Sequence, residues 1–166
     1  SKLPENICGL LLGGGYPENY ARELSCNASM RQSIARAIQE NMPCLAECGG
    51  FLYLHDAITD IDGEEWVMVS AVHATAAYQG KLQPRFGYIT LEDGQTGMQI
   101  RGHEFHYYDS TDYGQEWTAR KPLSSRHWSC MHRQGNLLAG FPHLYYASNP
   151  EFAAEWVQRC RQWRKE

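Results

Sequence analysis

Residues 43–50 read PCLAECGG and place Cys48 directly after a short apolar segment and directly before a pair of glycines. We predict a strand over 44–47 and a helix that starts at Gly49. The small residues Ala46 and Gly50 flank the cysteine at two residues' distance, which is typical of a nucleophile elbow that projects its side chain outward. The positive end of the following helix is expected to lower the pKa of the Cys48 thiol. An ordinary helix-entry turn with a buried cysteine also fits this pattern.

The residues before this stretch predict a parallel sheet. The apolar run 7–12 ends in the glycine run 13–15, which is typical of a strand buried on both faces and followed by a sharp turn. A helix with apolar residues at four-residue spacing then starts after Asn27 or Ser29 and ends near Asn41. The resulting order of strand, helix, strand and helix indicates an α/β fold, with both glycine-bounded turns at the carboxyl edge of the sheet.

The middle of the sequence indicates antiparallel pairing instead. Turns such as Asp62-Gly63 and Asp93-Gly94 favour hairpins over helical crossovers. The strand-like segments are 66–72, 86–91, 98–108 and 126–132. Near the end, the sequence SNPE at 148–151 predicts the start of a C-terminal helix, because proline and an acidic residue favour its first turn.

The composition limits the classes of function. The 166 residues are 43% hydrophobic and 20% charged, with a formal net charge of −4. This balance excludes a disordered tail and gives no electrostatic reason to expect nucleic acid or a membrane as partner. The six cysteines include no CxxC pair, which indicates free thiols in a reduced, cytoplasmic compartment.

A thiolate nucleophile needs a base and donors for an oxyanion. The chain has seven histidines, and position alone does not select among them, although His143 lies just before the C-terminal helix and could reach a sheet edge. In a strand through 101–107, alternation puts Glu104 and His106 on one face and His103 on the other. This separation disfavours zinc, and we predict no metal site.

Three motifs in order resemble one known family. They are LLLGGGYPE at 10–18, AECGGFLYL at 46–54 and RGHEFHY at 101–107. They resemble the glutaminase domains of the cobyrinic acid a,c-diamide synthases, within the class I (triad) glutamine amidotransferases, and the stretches 24–38 and 143–150 also fit. The resemblance implies a flavodoxin-like sheet with helices on both faces and antiparallel strands in the C-terminal half. Family members usually have further N-terminal elements before the glycine run. We therefore expect residues 1–166 to be one glutaminase domain, a C-terminal piece of a longer synthase.

The resemblance also implies roles for individual residues. Cys48 would attack the side-chain amide of glutamine, forming a glutamyl thioester and releasing ammonia. His143 would carry the proton to the leaving ammonia and activate the hydrolytic water. The backbone N–H groups of the oxyanion hole would come from Gly14, Gly15 and Gly49.

Some positions depart from the family pattern or have no assigned role. Glu104 and His106 belong to a family motif, and the resemblance implies that they line the site. We assign them no chemical role. Tyr145 stands where many class I domains have the glutamate that orients the histidine, and Leu52 stands where many have a glutamine. Pro142 directly before His143 is unusual. A Cys–His pair without the third triad member is therefore expected.

The implied partners are glutamine, an ATP-dependent synthetase domain and a corrin or related tetrapyrrole carboxylate. ATP and Mg²⁺ would belong to the synthetase domain, and this chain is expected to hold no cofactor. Cobyrinate, hydrogenobyrinate and nickel-sirohydrochlorin are not distinguished as substrates. The alternatives are another thiol enzyme on the same fold, such as a peptidase or redox sensor, a non-catalytic module that docks a synthetase, and a metal-binding protein that uses the histidines and cysteines of the middle segment.

Overall fold

The computed structural model describes residues 1–164. The helices are α1 (Ala21–Cys26), α2 (Ala28–Gln39), α3 (Gly49–Tyr53) and α4 (Pro150–Trp163), with 3-10 turns at Pro17–Tyr20 and Tyr146–Ser148. The strands are β1 (Leu10–Leu12), β2 (Cys44–Glu47), β3 (Ala57–Thr59), β4 (Glu65–Val67), β5 (Thr75–Tyr78), β6 (Gly87–Asp93), β7 (Gln99–Glu104), β8 (Tyr108–Ser110), β9 (Trp117–Arg120), β10 (His127–Cys130), β11 (His132–Gln134), β12 (Leu137–Gly140) and β13 (His143–Leu144).

A four-stranded sheet of order β1-β2-β12-β11 forms the base of the fold. Strands β1, β2 and β12 are parallel, and β11 is antiparallel to β12. The predicted parallel arrangement of the N-terminal third is therefore confirmed. The expectation that the first strand is buried on both faces is wrong, because Leu11 is 54% exposed. On that face, Leu11 pairs with Leu45, and Leu45 pairs with Leu138 on the next strand. The apolar cluster on this face includes Leu45 and Leu138 but does not extend to Leu11.

The two faces of β2 pack against different layers. Cys44 and Ala46 share an apolar cluster with Ile34 of α2. Leu45, which points to the opposite face, shares a second cluster with Phe152 of α4 and with the antiparallel strands. Helices therefore cover both faces of the sheet, as predicted. Burial on both sides fixes the position of the strand that leads into Cys48.

Two further sheets carry the antiparallel pairing expected of the C-terminal half. One has the order β10-β9-β6-β7-β13, and the other has the order β4-β3-β5-β8. The segment 98–108 is not one strand, since β7 and β8 lie in different sheets. The segment 66–72 leaves its strand after Val67, because Met68 and Val69 donate their backbone N–H groups to the carbonyls of Asp56 and Tyr53. Strands β3, β5, β9 and β13 were not predicted.

Side chains cap the two long helices. The Asn27 side chain accepts a hydrogen bond from the backbone N–H of Met30 at 3.3 Å, which selects Asn27 over Ser29 as the cap of α2. Asn149 accepts from the N–H groups of Glu151 and Phe152, so the predicted start of the C-terminal helix is confirmed. Within residues 1–164, no helix is long and apolar enough to cross a membrane.

His55 connects α3 to β8 through hydrogen bonds of its buried ring. Its ring is completely buried, with Nδ1 at 2.9 Å from the carbonyl oxygen of Phe51 and Nε2 at 2.7 Å from Oγ of Ser110 in β8. Burial lowers the pKa of His55 from 6.5 to about 4, although the Phe51 carbonyl acts in the opposite direction. The neutral ring therefore links the helix after Cys48 to the adjoining sheet.

We expect this histidine to make folding sensitive to acid. Between pH 6.5 and about 4, the unfolded chain protonates His55 and the folded chain does not, so stability is complete above this range and is lost as the pH falls through it. Across this pH range the free energy of unfolding falls by about 3 kcal/mol. Denaturant unfolding at pH 7 and pH 4.5 measures it. His55→Asn should lower stability at pH 7 but show a smaller further loss at pH 4.5 than the unmodified chain, and an equal loss in both proteins would contradict this role.

Candidate active site

Cys48 occupies a strained turn between β2 and α3. Its backbone has φ 48° and ψ −105°, a conformation that residues with a side chain rarely adopt and that costs about 1–3 kcal/mol. The backbone N–H of Cys48 donates to the carbonyl of Gly140 at 2.8 Å, which ties the turn to the end of β12. The strained turn predicted from the small flanking residues is confirmed. The expectation that the side chain projects outward is wrong, because Cys48 is only 6% exposed.

The glycines after Cys48 allow the backbone of the first strand to come into direct contact with the elbow. A Cβ at Gly49 would lie 2.5 Å from the carbonyl oxygen of Gly15, and a Cβ at Gly50 would overlap the backbone of Leu12. The N–H of Gly50 also donates to the carbonyl of Gly13 at 3.0 Å. No larger residue fits at 49 or 50 without separating the two loops. The structure therefore brings the glycine run against the elbow.

His143 approaches the same glycine run from the other side. It begins β13, which pairs with β7 so that His143 is opposite His103, and the two rings stack with centroids 4.7 Å apart. A Cβ at Gly14 would overlap the ring of His143. The glycine run thus lies against the elbow at Gly15 and against the His143 ring at Gly14. Cys48 Sγ lies 3.7 Å from the carbonyl oxygen of Phe105, and no hydrogen bond joins it to His143 within residues 1–164.

Burial keeps the Cys48 thiol neutral in the free protein. Desolvation raises its pKa to about 12, a hydrogen bond from the Gly49 backbone lowers it, and the nearby charges of Glu18, Glu104 and Glu47 raise it further. The start of α3 acts in the expected direction through the Gly49 N–H, but the expected net lowering of this pKa is wrong. Helix α3 has only five residues, and its favourable field is smaller than the cost of removing a thiolate from water.

His143 is held in the form that can accept a proton. Burial lowers its pKa, and the neighbouring His103 and His106 lower it further, while Glu104 acts in the opposite direction. A neutral imidazole can accept a proton from a reacting group. The arrangement therefore suits a base that is recruited during the reaction.

Glu104 and His106 form a buried network behind the site. Glu104 Oε2 lies 3.3 Å from Nε2 of His106, and its Oε1 accepts from the indole N–H of Trp128 at 3.0 Å. The His106 ring stacks on Phe141 with centroids 3.7 Å apart. Both residues face inward on either side of Phe105, as strand alternation predicts. The network fixes the backbone of Phe105, whose carbonyl faces the Cys48 thiol.

The three residues that depart from the family pattern differ in their burial. Tyr145 is 60% exposed and cannot take the place of a buried triad acid. Leu52 is buried in the first apolar cluster, and Pro142 is buried directly before β13. Within residues 1–164, no group of three or more His, Cys, Asp or Glu side chains is arranged to hold a metal ion.

Two acidic residues near Cys48 were missed in the sequence. Glu47 is buried, and its carboxylate accepts a hydrogen bond from the hydroxyl of Tyr146, just beyond His143. Burial raises the pKa of Glu47. Glu18 lies in the 3-10 turn after the glycine run and acts on the charge of the thiol. A charged residue inside an otherwise apolar strand was the available signal for Glu47. For Glu18, the signal was the acid that closes the motif LLLGGGYPE.

The sequence matches the CobB/CobQ-like glutamine amidotransferase domain over residues 1–151. The chain belongs to this family. The crystal structure of a glutamine amidotransferase superposes with a TM-score of 0.65 over 94% of this chain and 80% of that chain, at 17% identity. That structure shares the fold of this chain.

Curated relatives cover nearly the whole chain. The cobyrinate a,c-diamide synthase of Caldanaerobacter subterraneus subsp. tengcongensis is 36% identical over 167 residues, which are 96% of this chain and 37% of the relative. The synthase of the same name from Fusobacterium nucleatum subsp. nucleatum is 38% identical over 93% of this chain and 35% of the relative. That from Priestia megaterium is 32% identical over 99% of this chain and 37% of the relative. The chain thus spans just over a third of the length of these relatives.

The buried thiol predicts an unusual order of alkylation. Cys26 is exposed whereas Cys48 is buried, and only thiolates react readily with iodoacetamide. At pH 7 we expect Cys48 to react at least about 10-fold more slowly than Cys26, because burial raises the pKa of Cys48. Peptide mass spectrometry over a time course measures both rates. Cys48 reacting first at neutral pH would show that the thiol is activated before substrate binds.

Proposed function

We propose that this chain hydrolyses glutamine to supply ammonia, with Cys48 as nucleophile and His143 as its proton acceptor. The observation that carries the proposal is that the glycine run lies against both the strained elbow at Cys48 and the His143 ring. Each of these three elements is a separate requirement of acyl transfer through a thioester.

The reaction follows from the positions of these groups. Cys48 Sγ attacks the amide carbon of the glutamine side chain while His143 takes the thiol proton. The oxygen of the tetrahedral intermediate is stabilised by backbone N–H groups of Gly14, Gly15 and Gly49. His143 then donates its proton to the nitrogen, the C–N bond breaks, and ammonia leaves with a γ-glutamyl thioester on Cys48. Water activated by His143 hydrolyses the thioester to glutamate and regenerates the thiol.

The resting protonation states explain why attack and proton transfer are coupled. The pKa of the Cys48 thiol is raised to about 12, and that of His143 is lowered by burial. A stable thiolate–imidazolium pair is therefore disfavoured before substrate binds. When the amide carbon of glutamine lies next to the thiol, proton transfer to His143 can accompany attack. The negative charge then moves onto an oxygen that the glycine N–H groups can stabilise.

The whole reaction that we propose extends beyond this chain. The relatives named cobyrinate a,c-diamide synthase support ammonia transfer to an ATP-dependent synthetase unit that amidates carboxylates of a corrin or related tetrapyrrole. ATP and Mg²⁺ would be bound by that unit. The free thiols of all six cysteines support a reducing, cytoplasmic setting.

The proposal is tested by trapping the nucleophile with 6-diazo-5-oxo-norleucine, a reactive analogue of glutamine. We expect one covalent adduct on Cys48, competition by L-glutamine, and release of ammonia from glutamine by the untreated protein. Cys48→Ser should abolish the adduct and lower ammonia release by at least about 10³-fold. Cys26→Ser is the matched control, because Cys26 is exposed on α1, and it should behave like the unmodified protein.

Other outcomes would separate the alternatives. Labelling at another residue, or an adduct that glutamine does not compete for, would favour a different thiol enzyme. Absence of both adduct and ammonia release in the complete protein would favour a docking module without catalysis.

A further inference from the structure

A small cavity lies at the 3-10 turn that follows the glycine run and is walled mainly by aromatic side chains. Its volume is about 230 Å³, and the residues around it include Tyr16, Glu18, Asn19, Tyr107 and Tyr108. Glu18 is the only acidic residue in its lining. The cavity is therefore an apolar and hydroxyl-rich space with one carboxylate in its wall.

The carboxylate of Glu18 lacks a partner. Its Oε2 is buried and accepts no hydrogen bond from any residue in the range 1–164, and no lysine, arginine or histidine in that range forms an ion pair with it. Burial raises the pKa of Glu18, while a hydrogen bond from its own backbone lowers it. A buried carboxylate oxygen without a donor costs about 1–3 kcal/mol or more. The site therefore favours a ligand that brings a positive donor.

The cavity shares part of its wall with the hollow at the elbow. Tyr16 and Asn19 line both this cavity and a second one whose wall includes Gly49, and the charge of Glu18 acts on the Cys48 thiol. Glu18 follows the glycine run by a few residues and lies in the turn that packs beside α3. On the opposite wall, Tyr107 is close in sequence to Phe105, whose carbonyl oxygen is 3.7 Å from Cys48 Sγ. A molecule whose carbon is attacked at Cys48 can thus extend into this space.

We propose that Glu18 binds the α-ammonium group of the glutamine whose side chain reacts at Cys48. The inference rests on the proposed glutaminase function and adds the group that selects an amino acid over a simple amide. In extended glutamine the α-nitrogen lies about 5 Å from the amide carbon, a span suited to neighbouring thiol and ammonium sites. The ammonium supplies both the charge and the N–H donors that Oε2 lacks.

The test compares glutamine with its deaminated analogue glutaramate, which has the same amide and carboxylate but no ammonium group. In the complete protein, Glu18→Gln should raise the KM for glutamine by roughly 10- to 100-fold, the range expected for a lost charged hydrogen bond. The inhibition constant of glutaramate should stay unchanged, because glutaramate has no ammonium group that could bind the Glu18 carboxylate. Glu23→Gln is the matched control: Glu23 is exposed on α1, and both constants should stay at their original values.

Equal weakening of glutamine and glutaramate in Glu18→Gln, or no change in either, would overturn the assignment. If Glu18→Gln does not fold, Glu18→Asp keeps the charge on a shorter side chain and should raise the KM for glutamine without changing inhibition by glutaramate. An unaltered KM in Glu18→Asp together with altered glutaramate inhibition would also overturn it. Failure of the unmodified protein to release ammonia from glutamine would instead refute the glutaminase function itself.

Discussion

The close approach of two stretches of backbone is the constraint on which the site depends. Residues 12–15 lie so near Gly49 and Gly50 that a single added methyl group would overlap the opposing chain. This contact sets the distance between the first two parallel strands at their carboxyl ends. It also forces Cys48 into its left-handed conformation at the start of α3. Burial of β2 on both faces supplies the packing energy that maintains the strain.

Burial rather than the helix field sets the charge state of the site. The thiol and the imidazole are both neutral at rest, and three glutamates surround the thiol. Glu47 and Glu104 are paired with hydrogen-bond donors, through Tyr146 and Trp128 respectively. Glu18 has an oxygen without such a donor. In the proposed complex, the α-ammonium group of glutamine binds at Glu18 while its amide carbon lies at the Cys48 thiol.

The fold was largely predictable because its signals are local. Glycines after short apolar runs indicated the parallel strands, and Asn149 followed by Pro150 indicated the last helix. The paths of 66–72 and 98–108 were not predictable, because contacts with distant segments, such as the Met68 N–H with the Asp56 carbonyl, end the strands. For the site, the order of the motifs identified Cys48, His143 and the glycines as candidate site residues. The pKa of Cys48 and the unpaired oxygen of Glu18 depend on burial by residues far apart in sequence, which no local pattern records.

The central claim is that the glycine run positions His143 relative to Cys48, and one pair of variants tests it most directly. A Cβ at Gly14 would overlap the His143 ring, whereas a Cβ at Gly13 has no atom within 4 Å. The measurement is kcat/KM for glutamine hydrolysis in Gly14→Ala and Gly13→Ala, with unfolding free energies to confirm that both fold. We predict a loss of about 100-fold or more for Gly14→Ala and near-normal activity for Gly13→Ala. Equal activity in two folded variants would contradict the claim.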